Sequence, residues 1–428
     1  MGELLRQFWF PLVPSSELPE PGDRPMRLKL MGEHLVLFRS TDGQVGLLSE
    51  FCAHRQATLF YGRSEEGGLR CVYHGWKFGP DGRCLDMPNE PVGATFMRKI
   101  RQPAYPCQEV NGVVWTYMGS RSVPPPLPAH ALATVPANQK LIRLSVRECN
   151  WVQALEGDLD LSHGAYLHSA LKKEFLKQNH LDRFTGEKPH LEALDTPYGE
   201  MHAVRRTYDE QNYHWGVAQF LFPFITNFPP VGDNVRTTMG HVWVPMDDHN
   251  TFVWFYMLDP CHELQSRPTP PDPMYDHEWE EYRPPTTEPM GRWRLMAGPE
   301  NDFGFSEDAQ RTIRYSGLPT VDLQDHGLQV GMGRIVNRAN EHLGTTDAPQ
   351  IRMRRRLIAA AERLRDEGVV PDCVDDPDVF RVRPASGLLP KDQPWVEGTR
   401  DWVVDELGSP VASKGHVPLE EIAKLQVS

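Results

Sequence analysis

The chain has 428 residues, 39% of them hydrophobic, and its 58 acidic and 45 basic side chains give a formal net charge of −13. An acidic chain whose charges are spread along its length is a poor partner for nucleic acid or an anionic membrane, and it has no run of about 18 uncharged apolar residues that could span a bilayer. The first residues, MGELLRQFWF, carry charges inside their only apolar run, which predicts a cytoplasmic protein without a secretory signal.

The first 120 residues have the pattern of short antiparallel strands. Apolar and polar positions alternate over residues 26–50 around the turn formers Gly32 and Asp42-Gly43, which predicts hairpins. The prolines at 124–126 cannot lie inside a helix or a central strand and therefore predict a linker. We accordingly divide the chain into an N-terminal domain, a linker and a C-terminal domain, at residues 1–123, 124–140 and 141–428.

Two Cys-His pairs lie in this region of strands. Cys52-x-His54 is followed, after sixteen residues, by Cys71-x-x-His74. A zinc finger usually pairs two cysteines in one knuckle and two histidines in the other. A [2Fe–2S] cluster with one Cys₂ iron and one His₂ iron instead takes one cysteine and one histidine from each loop, so the spacing favours the cluster over a structural zinc site. The other cysteines are expected to be packed or free thiols: Cys84, Cys107, Cys149, Cys261 and Cys373.

Helices and a second sheet are predicted for the rest of the chain. Helical spacing predicts an interrupted helix over 150–182, and alternation over 200–260 predicts an antiparallel sheet. Residues 262–300 are dense in proline and acidic residues, which indicates a long surface loop. An amphipathic helix over 350–367, closed by Gly368, has a basic face that we expect to be solvated. The predicted fold class is α+β, with an antiparallel β domain followed by an antiparallel sheet flanked by helices.

Two histidines follow a group of acidic residues at the start of the predicted helix. His163 and His168, joined by one carboxylate on the same face of an iron, would leave positions open for dioxygen. On an ideal α-helix a five-residue step leaves them about 140° apart, so we predict a kink or bulge near Gly164. Asp160, three residues before His163, is expected to hydrogen-bond its imidazole. A purely structural histidine pair is the alternative.

Together, these motifs are similar to those of the Rieske ring-hydroxylating oxygenases. Phe51-Cys52-Ala-His54-Arg55 and Cys71-Val-Tyr-His74-Gly-Trp-Lys-Phe78 resemble the two cluster-binding loops of that family, and Asp160-x-x-His163-x-x-x-x-His168 resembles its iron motif. Many relatives have proline at the position of Ala53, a departure that affects no ligand. The resemblance spans nearly the whole chain and implies an N-terminal Rieske domain and a helix-grip-like catalytic domain.

The resemblance implies two iron cofactors and the residues that hold them. A Rieske [2Fe–2S] cluster is expected on Cys52, His54, Cys71 and His74, and mononuclear Fe(II) on His163, His168 and an aspartate further along the chain. In the family, the aspartate before the histidines links the iron electronically to a cluster histidine of the neighbouring subunit. Asp160 is therefore expected as a catalytic residue between His163 of one subunit and His74 of the next, in a homotrimer or stacked trimers.

The third iron ligand is sought in the segment Thr320–Arg334. Its Gln324-Asp325…Gln329 pattern, followed by residues 337–344, resembles the phthalate dioxygenase branch, whose oxygenase contains α subunits only. This resemblance assigns Asp325, with Asp322 as the alternative.

The implied activity is that of a terminal oxygenase. The chain has no GxGxxG stretch after a predicted strand, so NADH or NADPH would deliver electrons through a separate flavin and iron–sulfur reductase. The resemblance implies hydroxylation of an aromatic carboxylate such as phthalate or benzoate, by cis-dihydroxylation. Oxidative O-demethylation of a methoxylated aromatic acid is the alternative, and an electron-transfer protein without catalytic iron is a more distant one.

An aromatic carboxylate requires a cation in an apolar pocket. Arg205 and Arg206, near the start of the second sheet, are the candidate substrate-binding residues because arginine binds carboxylates bidentately. Adjacent residues of a strand face opposite sides, so only one of the two can point into the pocket. Four phenylalanines could line that pocket, but we favour packing within the sheet for them: Phe220, Phe222, Phe224 and Phe228.

Overall fold

The computed structural model describes residues 1–91, 95–171, 188–230, 237–258 and 277–404. Cys261, the last part of the predicted helix 150–182 and the first part of the predicted loop 262–300 lie outside these residues. Within them, no helix combines the length and apolar character that crossing a membrane requires. The described cysteines form no disulfide bonds, as expected.

The N-terminal part consists of three small antiparallel sheets. Their strand orders are β1-β11-β10, β2-β3-β4-β9 and β5-β6-β7-β8. The predicted hairpins are confirmed: Gly32 and Gly43 turn the chain between β2, β3 and β4 with φ of 82° and 85°, a region that favours glycine. The strands are β1 (Trp9–Pro14), β2 (Met26–Leu30), β3 (Glu33–Arg39), β4 (Val45–Ser49), β5 (Arg63–Glu65), β6 (Gly68–Arg70), β7 (Lys77–Phe78), β8 (Cys84–Asp86), β9 (Ala104–Tyr105), β10 (Cys107–Val110) and β11 (Val113–Tyr117).

The antiparallel sheet predicted over 200–260 is also present, and it includes strands that lie outside that range. Seven strands follow the order β12-β18-β17-β16-β15-β14-β13, and an eighth, β19, pairs with β15 from far along the chain. All these pairs are antiparallel. The strands are β12 (Lys140–Arg147), β13 (His190–Thr196), β14 (Gly199–Thr207), β15 (Asn212–Leu221), β16 (Ile225–Phe228), β17 (Thr238–Pro245), β18 (Thr251–Leu258) and β19 (Ala385–Pro390).

Helices pack against this sheet and at its edges. α3 contacts β16 and β17, α5 contacts α3, and α6 contacts β13. The helices are α1 (Gly2–Leu5), α2 (Ala131–Thr134), α3 (Trp151–Leu159), α4 (Glu307–Thr312), α5 (Val321–Gly331), α6 (Ala348–Glu367), α7 (Trp395–Gly398) and α8 (Arg400–Val403). The helix predicted over 350–367 is thus confirmed as α6, and Gly368 ends it with a φ of 70°.

The basic face of α6 is not simply solvated, which corrects the prediction. Arg354 forms ion pairs with Glu156 of α3 at 2.5 Å and with Glu341 at 2.6 Å, and only 18% of its side chain is exposed. Arg356 pairs with Asp195 of β13 at 3.3 Å. These remote acidic partners attach α6 to α3 and to the edge of the sheet.

One hydrophobic core joins the N-terminal and C-terminal parts. Phe10 of β1 stacks on Phe224, with ring centroids 5.0 Å apart, and Phe8 meets Phe222 edge-on at 5.7 Å. Phe220, Phe222 and Phe224 are therefore packed in the core, as favoured above. The predicted linker, 124–140, contains the buried helix α2, so it is not an extended tether.

The described part of the predicted surface loop is only partly at the surface. Residues 277–300 contain a short 3₁₀ helix and little other regular structure. Trp293 is nevertheless buried, with its ring centroid 5.1 Å from that of Phe252. This segment therefore covers one end of the core.

Candidate active site

The two Cys-His loops have the same backbone construction. Each cysteine donates its N–H to the carbonyl five residues later, and its own carbonyl accepts from the N–H four residues later. The pairs are Cys52–Ala57 and Gln56–Cys52, both at 2.9 Å, and Cys71–Trp76 and Gly75–Cys71, at 2.8 and 3.0 Å. The fourth residue after each cysteine has a positive φ, 59° at Gln56 and 78° at Gly75. The matched loops bring two buried cysteines and two histidines together.

The donor set of these loops fits a Rieske cluster. The rings of His54 and His74 lie 4.5 Å apart, and Nδ1 of His54 is buried without a hydrogen-bond partner among the described residues. A hydrogen bond from the Cys52 thiol lowers the pKa of Cys71 to about 6. That hydrogen bond, with burial, raises the pKa of Cys52. Two cysteine sulfurs, which bind iron as thiolates, and an unpaired imidazole nitrogen are the donors that a [2Fe–2S] centre of the Cys₂His₂ type takes.

The first loop is fastened by one glutamine. Gln102 accepts from the Ala53 N–H at 2.7 Å and donates to the carbonyls of Ser49 and Phe51 at 2.8 and 2.9 Å. This residue is 98% buried, and sequence reasoning did not single it out. A lone glutamine just before the short strand β9 has no distinguishing sequence pattern.

The iron-type histidines do not lie on an α-helix. Asn150 caps the start of α3 by accepting from the Val152 N–H, and α3 ends at Leu159, before both histidines. His163 begins a 3₁₀ turn that extends to Ala165. The interruption predicted near Gly164 therefore begins earlier, and the chain bends fully out of the helix. This bend overcomes the 140° separation that a continuous helix would impose.

Three ligand atoms converge after this bend. Nε2 of His163 and Nε2 of His168 lie 2.9 Å apart, and Oδ1 of Asp325 lies 3.4 Å and 3.7 Å from them. Ligands in adjacent positions on a metal with bonds of about 2.1 Å are separated by roughly 3 Å. The set of two imidazoles and one carboxylate is the one used by non-haem Fe(II) oxygenases. The donors and their spacing fit mononuclear iron.

The surroundings prepare these ligands for a cation. His168 Nδ1 lies 2.7 Å from Oε1 of Gln324, so this amide oxygen accepts the ring N–H and leaves Nε2 to face the centre. Burial lowers the pKa of His163, but the hydrogen bond and charge of Asp325 outweigh it and raise that pKa to about 9. Burial raises the pKa of Asp325, whereas both imidazoles lower it, and it stays well below its usual value. A positive charge is therefore favoured at this centre.

Asp322 and Asp325, three residues apart on α5, both line the cavity but have different partners. Asp322 accepts from Nη2 of Arg147 at 2.5 Å, and Arg147, 1% exposed, also donates to Gln329. The group of converging ligand atoms contains Asp325 and not Asp322. Arg147 was missed by sequence reasoning, because β12 carries two further basic residues, Lys140 and Arg143, and no pattern distinguishes Arg147 from them.

Asp160 does not form the hydrogen bond expected with His163. Its Oδ2 is 3.8 Å from Nδ1 of His163, beyond hydrogen-bond distance. Oδ1 instead accepts from the N–H and the hydroxyl of Ser162, at 2.9 and 2.6 Å. These bonds hold Asp160 at the end of α3, beside the iron-type centre, with 29% of its side chain exposed.

The three ligands open into a cavity of about 450 Å³. It lies between the end of α3, the start of α5 and the inner face of the large sheet. Most of its wall is apolar, and its polar side chains include Arg206, His214 and His241. Apolar side chains of the sheet that line it are Val204, Phe228, Met239, Val253 and Phe255. A larger cleft of about 800 Å³, between residues 16–27 and 285–293, contains none of the predicted site residues.

The two candidate arginines have separate surroundings. Arg206 is 4% exposed, lines the cavity and donates to the carbonyl of Leu161 at 3.0 Å. Arg205, on the other face of β14, lies 4.3 Å from the ring of Tyr213 and does not line the cavity. Phe228 lines the cavity as well, which departs from the packing favoured for it.

Comparison with known proteins decides the family. The Rieske [2Fe-2S] domain family matches residues 8–104, and the LigXa C-terminal domain-like family matches residues 116–412, more than half of the chain. The 3-chlorobenzoate-3,4-dioxygenase oxygenase subunit of Comamonas testosteroni is 37% identical over 92% of this chain and 93% of its own length.

The chain belongs to the Rieske non-haem iron oxygenases.

Further matches place this Rieske oxygenase subunit near the phthalate dioxygenase branch. The phthalate 4,5-dioxygenase oxygenase subunit of Pseudomonas putida is 31% identical over 84% of this chain and 82% of its own length. The crystal structure of dicamba monooxygenase bound to dicamba covers 85% of this chain and 98% of its own, with a TM-score of 0.56 and 17% identity, which supports the fold. The predicted α+β fold and family are confirmed, and an oxygenase of this family carries a Rieske cluster and mononuclear iron.

Proposed function

We propose that this chain is the terminal oxygenase of a system that hydroxylates an aromatic carboxylate, by cis-dihydroxylation. The observation that carries the proposal is the convergence of three ligand atoms on a cavity that also holds a buried arginine, Arg206. We assign the iron to His163, His168 and Asp325, and the cluster to Cys52, His54, Cys71 and His74.

The protein residues have defined parts in this chemistry. When bound, the mononuclear iron supplies dioxygen activation, and the cluster supplies electrons one at a time from NADH or NADPH through a separate reductase. Gln324 fixes the orientation of His168 by accepting its Nδ1–H. Phe228 and Phe255 offer apolar faces on which an aromatic ring can lie.

The charge of the cavity supports an acidic substrate. The Arg206 guanidinium is permanently charged and has a planar set of donors that matches a carboxylate. Its bond to the Leu161 carbonyl aims it from β14 toward the segment that follows α3, which carries His163. The relatives named for 3-chlorobenzoate and phthalate act on acids of this kind.

We further propose a homotrimer or stacked trimers in the cytoplasm, in which Asp160 approaches His74 of the neighbouring subunit. The loop that carries His74 supports this contact because it exposes two large side chains, Val72 at 56% and Tyr73 at 58%. Exposed neighbouring apolar side chains of this kind are typical of a surface that another protein covers.

Product analysis under single turnover tests the function. The purified protein is reduced without oxygen and then exposed to dioxygen with benzoate, phthalate isomers or methoxybenzoates, and products are identified by mass. We expect a dihydrodiol with both oxygen atoms from one dioxygen molecule. The control His163→Ala should retain the visible spectrum of the cluster and form no product.

Other products would change the proposal. A phenol together with formaldehyde from a methoxybenzoate would establish O-demethylation instead of dihydroxylation. Product formation by His163→Ala at the wild-type level would contradict the iron assignment. If the cluster is reduced and reoxidised but no acid gives a product, the proposal that the substrate is an aromatic carboxylate would be contradicted.

A further inference from the structure

A chain of four side chains connects the large sheet to α3 beside the cavity. Trp243 Nε1–H donates to Oγ1 of Thr226 at 2.8 Å, the Thr226 hydroxyl donates to Oδ2 of Asp158, and Nδ1 of His241 lies 2.8 Å from the same oxygen. An indole nitrogen can only donate, so the Thr226 proton must point to Asp158. The Asp158 carboxylate only accepts hydrogen bonds, so its contact with His241 places a ring proton on Nδ1.

These hydrogen bonds leave Nε2 of His241 without a partner among the described residues. This nitrogen is buried. The residue is 6% exposed, and it lines the cavity. Rings of Phe228, Trp243 and Phe255 lie 4.8–5.5 Å from the imidazole and enclose its sides. A buried polar atom is normally paired, so a group that enters the cavity is the natural partner.

The neighbouring charges indicate which group that is. Beside His241, Arg143 pairs with Glu280 at 2.8 Å and Asp322 with Arg147 at 2.5 Å. Among the described residues, the Asp158 carboxylate has no arginine or lysine partner and pairs only with the His241 ring. A second anion on this wall would face that negative charge. The neutral imidazole with its proton on Nδ1 instead offers a lone pair at Nε2, which accepts a hydrogen bond from a neutral donor.

This wall lies apart from the arginine that we assign to the carboxylate. Arg206 projects from β14 and His241 from β17, and β15 and β16 separate these strands in the sheet. A ligand that contacts both therefore carries its carboxylate and its donor group at different positions of the ring.

We propose that His241 determines specificity by accepting, at Nε2, a hydrogen bond from a ring hydroxyl of the aromatic acid, with Asp158 as the residue that fixes its tautomer. This inference rests on the proposed function and narrows it to hydroxylated aromatic acids. A site built to pair with a hydroxyl discriminates against the analogue that lacks it, because the buried nitrogen is then left unpaired.

Binding measurements on the holoenzyme test the inference without turnover. Calorimetry in the absence of oxygen compares benzoate with its 2-, 3- and 4-hydroxy isomers. We expect one isomer to bind about tenfold tighter than benzoate. His241→Leu should abolish this ratio, and His241→Gln, which keeps an acceptor, should retain part of it. Arg205→Gln, on the other face of the sheet and outside the cavity, should leave the ratio unchanged.

The protonation state provides a second readout. Repeating the titrations in buffers of different ionisation enthalpy should show no proton uptake with the preferred hydroxybenzoate. Tighter binding of phthalate accompanied by uptake of one proton would overturn the inference, since His241 would then act as a cation for a second carboxylate.

The outcomes separate this inference from the proposed function. If benzoate binds but the hydroxyl gives no preference, or gives one that survives in His241→Leu, the inference fails and the proposed function stands. If no aromatic acid binds, both fail. Should His241→Leu not fold, His241→Phe, which also lacks an acceptor, takes its place, and a hydroxyl preference that survives in His241→Phe would overturn the inference.

Discussion

At the scale of residues, the acidic side chains before the iron-type histidines have three different partners. Glu156 pairs with Arg354 at 2.5 Å, Asp158 with His241 at 2.8 Å, and Asp160 with Ser162. The partners that packing supplies separate the roles of these three carboxylates. Glu156 holds α6 against α3, Asp158 orients His241 in the cavity, and Asp160 stays partly exposed beside the candidate metal centre.

Arg206 and Arg205 form a matched pair for mutation. We expect Arg206→Gln to lower kcat/KM for the acidic substrate roughly 10- to 150-fold, because charged hydrogen bonds contribute about 1.5–3 kcal/mol. Arg205→Gln should leave kcat/KM unchanged and cost at most about 1 kcal/mol of stability, through its lost contact with Tyr213. Steady-state oxygen uptake and thermal unfolding measure both. Equal losses of kcat/KM in the two variants would contradict the assignment.

His130 predicts a pH dependence of stability. Its Nδ1 accepts from the Leu132 N–H at 3.2 Å, and its Nε2–H donates to Tyr256, whose own hydroxyl proton goes to Asn227. The neutral ring is therefore fully paired. Burial lowers its pKa from 6.5 to about 3. As the pH falls, His130 binds a proton in the unfolded chain before it does so in the folded protein. The contribution of neutral His130 to the free energy of unfolding is therefore complete above pH 6.5. It is lost as the pH falls toward 3, by up to about 1.4 kcal/mol per pH unit.

A variant isolates this effect from the other histidines. His130→Asn can still accept from the Leu132 N–H but does not titrate in this range. Urea unfolding at pH 7.0 and 5.5 should show a smaller loss of stability for His130→Asn than for the wild type. Equal losses would mean that His130 is not kept neutral by the fold.

At the scale of elements, two short loops with the same hydrogen bonds carry the four residues that we assign to the cluster. The loops differ at the position with positive φ, which is Gly75 in one and Gln56 in the other. A Cβ at Gly75 would lie 2.6 Å from Cγ of Pro88, so the second loop has no room for a side chain there. Of these two positions, only Gly75 requires glycine both for its backbone conformation and for the close contact with Pro88.

Substitutions at these two positions test the loops as elements. We expect Gly75→Ala to lower stability by about 1–3 kcal/mol and to reduce the cluster content, because the left-handed backbone and the Pro88 contact are both unfavourable. Gln56→Gly should keep the cluster, since glycine adopts a φ of 59° without strain. Visible absorbance per mole of protein and the unfolding temperature measure this. Normal cluster content in Gly75→Ala would refute the steric argument.

At the scale of the whole molecule, one hydrophobic core joins the N-terminal strands β1–β4 to the catalytic part, and the two Cys-His loops pack in a second core. The redox groups of the two parts are nevertheless proposed to meet between subunits. Phe10 stacks on Phe224, and Lys29 pairs with Asp247 at 2.5 Å across the two parts. These contacts fix the Rieske part against its own catalytic sheet. The exposed Tyr73 loop is then available to a neighbour.

Asp160→Asn tests the contact between subunits. We expect the variant to keep the cluster spectrum, the bound iron and the oligomeric state, and to lose turnover roughly 10- to 100-fold, as changes beside metal ligands do. Rapid-mixing absorbance of the reduced cluster should show slower electron transfer to the iron site. A variant with normal cluster oxidation and turnover would exclude the bridging role.

Local sequence determined much of the secondary structure and most of the candidate iron ligands of this protein. The Cys52/His54 and Cys71/His74 spacing, the His163/His168 pair and the α6 pattern are short-range features, and ligand chemistry restricts which residues can serve there. The hairpins at Gly32 and Gly43 were predictable because positive φ favours glycine at those turns.

Tertiary structure alone decided the rest. The bend after Leu159, the choice of Arg206 to line the cavity and the placement of Asp325 beside the histidines depend on contacts between segments that are far apart in the chain. His241 and Asp158 are unremarkable in sequence and become a site only because β17 packs on α3. Local patterns record which residue types are present, whereas burial, charge pairing and cavity shape arise only when remote segments pack together.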